Sequence, residues 1–340
     1  MPLEEINYSQ IKELIASAEN ILITSHHNPD GDALGSALAL YNLFIVENRN
    51  VEVMLPNAFP GFLKWMRNSD KVLLYNKHKR KCDKIIAEAD LIFCLDYNAL
   101  DRIGDMTESL TNSKATKIMI DHHPEPGKGF DFVLSVVDTS STAELVYDFI
   151  DKIGLLHKVN KNIAECIYAG IMTDTGSFSY ACNYERTFQI TAELISLGVD
   201  VENIHRLVYD TYSENRMRLL GFCLSERLVV LEKYRTAYIY LSKDDLDKFN
   251  YQVGDTEGVV NYALAIKNIT FAALITLRKG HVRISFRSKG DFSVNDFARK
   301  HFEGGGHKNA AGGNCYLPME EARKKFETLL CEYPELLEQK

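Results

Sequence analysis

Short apolar runs recur along the first 140 residues: "NILITS" (20–25), "NVEVMLP" (50–56), "DLIFCLD" (90–96), "KIMIDHH" (117–123) and "DFVLSVVD" (131–138). Runs this short and this continuous are what strands covered on both faces show. Around them the spacing turns helical. "ALGSALALYNLFIVEN" has helical length, and "TAELVYDFIDKIG" follows with Thr142 as its expected cap and Gly154 as its stop. "NKNIAECIYAGIMTDTGSF" ends in a glycine-containing turn around Asp174. Strands alternating with helices predict an α/β domain, a mostly parallel sheet flanked by helices.

From about residue 185 the pattern is helical, through "ERTFQITAELISLGV" and "VENIHRLVYDTYSENRMRLLGFCLSERL". "VVLEKYRTAYIYLS" and "FAALITLRKGHVRISFRS" then read as hairpins, the second turning at Lys279–Gly280. A short helix, "SVNDFARKHF", precedes "EGGGHKNAAGG", and "MEEARKKFETLLCEY" closes the chain as an amphipathic helix. This half predicts a smaller mixed-sheet α/β C-terminal domain. The expected division is 1–185 for the first domain, 186–225 for a helical linker and 226–340 for the second. A length of 340 residues agrees, since one domain usually takes about 100–200.

Composition narrows the setting. No apolar stretch reaches the ~18 residues a membrane span needs, and "MPLEEINYSQ" has neither the basic nor the apolar part of a leader peptide. The seven cysteines are scattered and never form CxxC, which fits reduced thiols in a cytoplasmic protein rather than a disulfide framework or a zinc site. The net charge is −8, yet residues 278–308 hold eight Lys or Arg against three acids, a local +5 that leaves −13 for the rest. An acidic body with one basic segment suits a small anionic ligand better than a long duplex. "KHKRK" at 77–81 reads as a solvated helix face or loop.

The chemistry concentrates in "HHNPDGDALGS" (26–36), where a strand should become a helix. In an open parallel sheet, ligands bind beyond the carboxyl ends of the strands. The polar residues fall there: His26, Asp30 and Asp32 after the first strand, Asp96 closing "LIFCLD", and Asp121, His122 and His123 closing "KIMIDHHP". Asp174 sits at a helix end. Each has a plainer reading, as a helix cap, a turn residue or a hydrogen-bonded core histidine. Together, four carboxylates with imidazoles make a site for hard or borderline divalent cations, Mn²⁺ or Mg²⁺ rather than structural zinc. Four aspartates also balance two divalent ions. "SSTAEL" (140–145) resembles a capping box, with Ser140 or Thr142 as a further candidate for substrate contact. Gly304, Gly305 and Gly306 would let backbone N–H groups approach an anion, with a flexible turn as the plainer alternative.

These motifs in this order, "HHNPDGDALGS", the "LD" at 96, "DHHP" at 121–124 and "TDTGSF" at 173–178, resemble those of the DHH phosphoesterase family. "FRSKGDFSVNDFARKHFEGGGHKNAAGG" is similar to that family's associated C-terminal domain. The resemblance implies that His26 and Asp30 bind one Mn²⁺, that Asp32, His122 and Asp174 bind a second, and that Asp96 bridges both. Mg²⁺ is the alternative ion. It further implies that Asp121 orients His122, that His123 faces the substrate phosphate, and that Arg287, Ser288 and His307 hold the substrate.

Within the family the chain resembles most the branch that degrades very short RNA to mononucleotides and dephosphorylates 3′-phosphoadenosine 5′-phosphate. Dimers are common in that branch, so a homodimer is expected. The alternatives are a phosphodiesterase for linear or cyclic dinucleotides, an inorganic pyrophosphatase or exopolyphosphatase, and a non-catalytic nucleotide sensor. The "KNAAGG" that follows GGGH disfavours the pyrophosphatase pattern, and a complete ligand set disfavours the sensor.

Overall fold

All five apolar runs of the first half form strands in the computed structural model, which describes residues 6–278 and 280–337. Lys279, half of the expected hairpin turn, and residues 1–5, the start of the segment read for a leader, lie outside the described residues. The chain divides between Thr211 and Tyr212 into two units.

The first unit runs α1 (Tyr8–Ser17), β1 (Ile21–Ser25), α2 (Gly31–Val46), β2 (Val51–Leu55), β3 (Leu73–Leu74), α3 (Tyr75–Glu88), β4 (Leu91–Leu95) and α4 (Thr107–Asn112). It continues through β5 (Thr116–Asp121), β6 (Phe132–Ser135), α5 (Thr142–Lys152), α6 (Lys161–Asp174), α7 (Glu185–Ser196) and α8 (Val201–Tyr209). Its sheet has the order β3-β2-β1-β4-β5-β6 with every pair parallel. Helices cover both faces, which explains why the strands carry no polar alternation. Alternate strand residues enter two cores, Ile21 and Ile23 on the side of α2, α5 and α6, Leu22 on the side of α3 and α4. The two-residue β3 was not expected, being too short to leave a pattern. "KHKRK" is the exposed side of α3.

α2 is buried from Gly31 to Phe44. A Cβ on Gly35 would lie 2.5 Å from the Cys166 carbonyl oxygen and 3.0 Å from Gly170 N, both in α6. The missing side chains let the two helices approach and bring the start of α2 beside the end of α6. The cap of α5 is Ser141, whose hydroxyl accepts the Glu144 N–H at 3.1 Å, one residue before the expected Thr142.

The second unit runs α9 (Glu214–Glu226), β7 (Leu228–Leu231), β8 (Thr236–Leu241), α10 (Lys243–Lys248), α11 (Val259–Leu264), β9 (Phe271–Arg278) and β10 (His281–Ser288). α12 (Val294–His301), β11 (Gly305–His307), β12 (Ala310–Cys315) and α13 (Met319–Leu329) complete it. Its sheet, β11-β12-β10-β9-β8-β7, is mixed, with β8 and β9 parallel and the other pairs antiparallel. A phenylalanine-rich core beneath α12 and α13 holds one face. The segment read as a linker over 186–225 is shared out. Ile190, Leu194, Ile204 and Val208 of α7 and α8 enter the first unit's core, whereas Leu219 and Cys223 of α9 enter the second's. The helical pattern of this region is divided at 210–213, between α8 and α9, where Ser213 caps α9.

Candidate active site

The carboxyl ends of β1, β4 and β5 deliver His26, Asp96 and His122 to one edge of the first unit's sheet. Asp30 caps α2, its Oδ1 accepting the N–H groups of Asp32 and Ala33 at 3.0 Å each. This fixes the turn and leaves the carboxylate exposed. His26 Nε2 lies 3.3 Å from Asp96 Oδ2 and 4.0 Å from Asp30 Oδ1. His122 Nε2 lies 3.6 Å from Asp96 Oδ1, 3.5 Å from Asp174 Oδ2 and 4.0 Å from Asp32 Oδ2. Two groups therefore form, His26–Asp30–Asp96 and Asp32–His122–Asp174, each with its ligating atoms within 4.8 Å of one another. Asp96 turns one oxygen toward each.

Buried carboxylates crowd this edge and shift one another's titration. Burial, then the neighbouring Asp96, Asp174 and Asp30, pushes the Asp32 carboxyl well above its ordinary range. Burial raises Asp96 too, opposed by its hydrogen bond to His26. Burial works against the His26 imidazolium, but Asp96 and Asp30 outweigh it and raise the group to about 9. Asp96 also holds φ at +61°, a left-handed turn at the end of β4 that aspartate tolerates better than most residues. Carboxylate oxygens mixed with imidazole nitrogens are the donor set that Mn²⁺ or Mg²⁺ takes, so the residues fit the implied ions.

One role changes. Asp121 Oδ1 lies 2.8 Å from His123 Nδ1, and Oδ2 accepts the His123 backbone N–H at 3.2 Å, so Asp121 orients His123 and not His122. β5 ends at Asp121, and the His123 N–H bond to the Asp121 carboxylate closes a tight turn there. In that turn the His122 and His123 rings meet edge to face, with centroids 4.9 Å apart.

In the second unit, Arg287 and His307 both pair with Ala310, from opposite sides of β12. Register partners share a face, so the two side chains stand on one face about 9–10 Å apart across two strand spacings. Ser288 faces the core instead. Its hydroxyl donates to the Phe292 carbonyl at 2.6 Å and accepts from Asn309 Nδ2 at 2.8 Å, which commits it to the fold rather than to a ligand. The glycines are committed as well. A Cβ on Gly304 would lie 2.0 Å from the Gly312 carbonyl oxygen, and Gly306 holds φ at +152°. The Gly306 N–H donates to Asn295 Oδ1 at 2.9 Å, and Gly305 pairs with Gly312. Close hairpin packing requires glycine at 304 and 306, whereas at 305 a Cβ would meet nothing nearer than 3.4 Å.

The start of α5 joins this edge through Asp32 and Asp96 rather than through a substrate contact of its own. The N–H groups of Thr142 and Ala143 donate to Asp32 Oδ2 and Oδ1 at 2.7 and 2.8 Å, and the Thr142 hydroxyl donates to Asp96 Oδ1 at 3.0 Å. Ser140 is turned away. Its hydroxyl donates to Glu144 Oε2 at 2.5 Å, where Thr187 also donates at 2.6 Å.

Comparison with known proteins follows the same two-part division. Residues 20–171 match the family model described as DHH family, N-terminal domain, and residues 233–333 match the DHHA1 domain. A probable bifunctional oligoribonuclease and PAP phosphatase NrnA of Streptococcus mutans is 30% identical over 316 residues, 92% of this chain and 95% of that protein. The bifunctional oligoribonuclease and PAP phosphatase NrnA of Bacillus subtilis is 28% identical over 329 residues, 96% of this chain and 99% of that protein. Among solved structures, an exopolyphosphatase-related protein from Bacteroides fragilis matches with a TM-score of 0.94 at 45% identity, covering 97% of each chain.

Proposed function

The chain belongs to the DHH family and is a hydrolase of phosphoester bonds, and from that premise we propose a specific reaction for it. It removes mononucleotides from very short RNA and dephosphorylates 3′-phosphoadenosine 5′-phosphate, using two divalent cations with Mn²⁺ preferred. The NrnA relatives carry both activities in their names. The observation that carries the cation requirement is the division of the Asp96 carboxylate, Oδ2 toward His26 and Oδ1 toward His122.

In this reading His26, Asp30 and Asp96 hold one ion, and Asp32, His122, Asp174 and Asp96 hold the other. Such a pair, when bound, lowers the pKa of a shared water and neutralises charge on phosphoryl oxygens. The remaining work falls to the chain's own groups. Asp121 Oδ1 holds the Nδ1 side of the His123 ring, and in this reading the ring faces the substrate phosphate. Burial opposes the imidazolium of His123, but Asp121 and Asp96 raise its pKa, which favours the form that donates to an anion. Arg287 and His307 bind the phosphate groups of the nucleotide, the arginine with its bidentate fork.

The Bacteroides fragilis protein, described as exopolyphosphatase-related, favours a second reading, hydrolysis of polyphosphate. A product profile decides between them. Chelator-stripped protein reloaded with Mn²⁺ is given RNA of two to five nucleotides, linear and cyclic dinucleotides, 3′-phosphoadenosine 5′-phosphate, pyrophosphate and polyphosphate. Mononucleotides from short RNA and AMP from the bisphosphate are expected, with no turnover in chelator. Turnover of polyphosphate alone establishes the second reading, and full activity in chelator removes the cation requirement.

A further inference from the structure

The first turn of α5 touches a carboxylate from each of the two acidic groups. Asp32, of the group with His122 and Asp174, receives two backbone N–H bonds, from Thr142 and Ala143. These amides have no partner within their own helix, so an external acceptor is required, and Asp32 supplies it. Asp96, of the group with His26 and Asp30 and with Oδ1 3.6 Å from His122 of the other, receives the Thr142 hydroxyl. Thr142 is wholly buried, so no solvent competes for that proton.

The hydroxyl bond constrains Asp96 in a specific way. A carboxylate offers about four lone-pair directions and can swivel about its last bond. The Thr142 hydroxyl, 3.0 Å from Oδ1, limits that swivel while Oδ1 lies 3.6 Å from His122 Nε2 and Oδ2 lies 3.3 Å from His26 Nε2. The same residue's backbone N–H holds Asp32 Oδ2 at 2.7 Å. One residue thereby fixes the separation between the bridging carboxylate and a carboxylate belonging to the second group alone.

We propose that Thr142 is a positioning residue that couples the two cation sites, its hydroxyl aiming Asp96 and its amide anchoring Asp32. The inference rests on the reading of these groups as cation sites. Outer hydrogen bonds of this kind change metal affinity or activity about 10–100-fold when removed.

The test is a Mn²⁺ titration of metal-free full-length protein by calorimetry, with Co²⁺ absorption as a spectroscopic check. Wild type, T142V, T142A and T142S are compared, and thermal melting reports folding. Wild type should bind two ions. T142V and T142A should lose about 10–100-fold in affinity for at least one of them and show an altered Co²⁺ band, with kcat falling and KM nearly unchanged. T142S, which keeps the donor, should restore both. Two ions bound with wild-type affinity by T142V or T142A overturn the proposal. So does T142S failing as badly as T142V, because packing and not the donor would then be responsible. A wild-type protein that binds no divalent ion instead removes the reading beneath it.

Discussion

Asp121 and His123 are joined twice in the turn that ends β5: ring Nδ1 to Oδ1 at 2.8 Å and backbone N–H to Oδ2 at 3.2 Å. His122, between them, meets Asp32, Asp96 and Asp174, its ring edge-on to that of His123 with centroids 4.9 Å apart. The adjacent rings thus have different anchors, His122 among those three carboxylates and His123 on Asp121.

That separation gives the first prediction. D121N removes the charge behind His123 without touching His26, Asp30, Asp32, Asp96, His122 or Asp174. Turnover of short RNA should fall about 10–100-fold, the usual scale for such a supporting carboxylate, with Mn²⁺ stoichiometry unchanged. Metal analysis and single-turnover kinetics on one preparation measure both. Loss of one ion from D121N would place Asp121 with the ligands.

A second pair of variants separates Asp96 from Ser140. D96A deletes the carboxylate that faces both groups and should abolish Mn²⁺ binding and activity together. S140A should leave Mn²⁺ binding intact and lower the melting temperature, because buried Glu144 loses a donor at 2.5 Å while keeping Thr187 at 2.6 Å. The lost hydrogen bond to a charged group should cost about 1.5–3 kcal/mol. Melting curves with and without Mn²⁺ read out both effects, and weakened metal binding in S140A would contradict this assignment.

How much of this was legible in the sequence follows physical range. Continuous apolar runs marked five strands of the first sheet, because burial on both faces writes itself into every residue. The two-residue β3 wrote nothing. The six residues of the two acidic groups were legible because each follows a strand or helix end, where topology makes neighbours of distant positions. Which histidine Asp121 holds depends on the turn after β5, where its carboxylate accepts the His123 N–H, and no sequence pattern specifies that turn. Arg287 and Ser288 occupy opposite faces of β10, so there too neighbours in sequence do not share a site. The glycine triplet could not be resolved from sequence, because its demand comes from Gly312 and Ala310 across a hairpin whose register is a property of the folded sheet.

The third prediction concerns acid stability. Asp245 accepts Arg227 in a two-pronged pair at 2.8 and 3.0 Å and caps α10 with Ser242. Burial pushes its pKa up, but the Arg227 and Ser242 bonds outweigh this and hold it below the usual carboxylate range. A depressed pKa means stability that is present above the unfolded value of about 3.9 and is lost as pH falls through the folded one. D245N should therefore melt lower than wild type at pH 7, with the difference shrinking below about pH 4. Melting temperatures from pH 7 to 3 measure it, and a constant difference across that range would rule out the linkage.

The last prediction divides the GGGH segment between structure and substrate. Gly304 has no room for a methyl, since its Cβ would sit 2.0 Å from the Gly312 carbonyl oxygen and 2.6 Å from Gly313 Cα. Backbone cannot yield as a side-chain end can, so G304A should lower the melting temperature by overpacking that costs about 1–3 kcal/mol or more. His307 differs, being partly exposed and sharing its face with Arg287 across Ala310. H307A should melt close to wild type and bind Mn²⁺ normally. Its kcat/KM on 3′-phosphoadenosine 5′-phosphate should nonetheless fall about 10–100-fold, the equivalent of about 1.5–3 kcal/mol for one charged hydrogen bond. An activated phosphate ester without a nucleoside, which offers His307 little to hold, should be affected less. Equal losses on both substrates accompanied by depleted Mn²⁺ would move His307 from substrate binding to metal binding. A G304A protein with unchanged melting would show that the hairpin accommodates the methyl, contrary to the packing described.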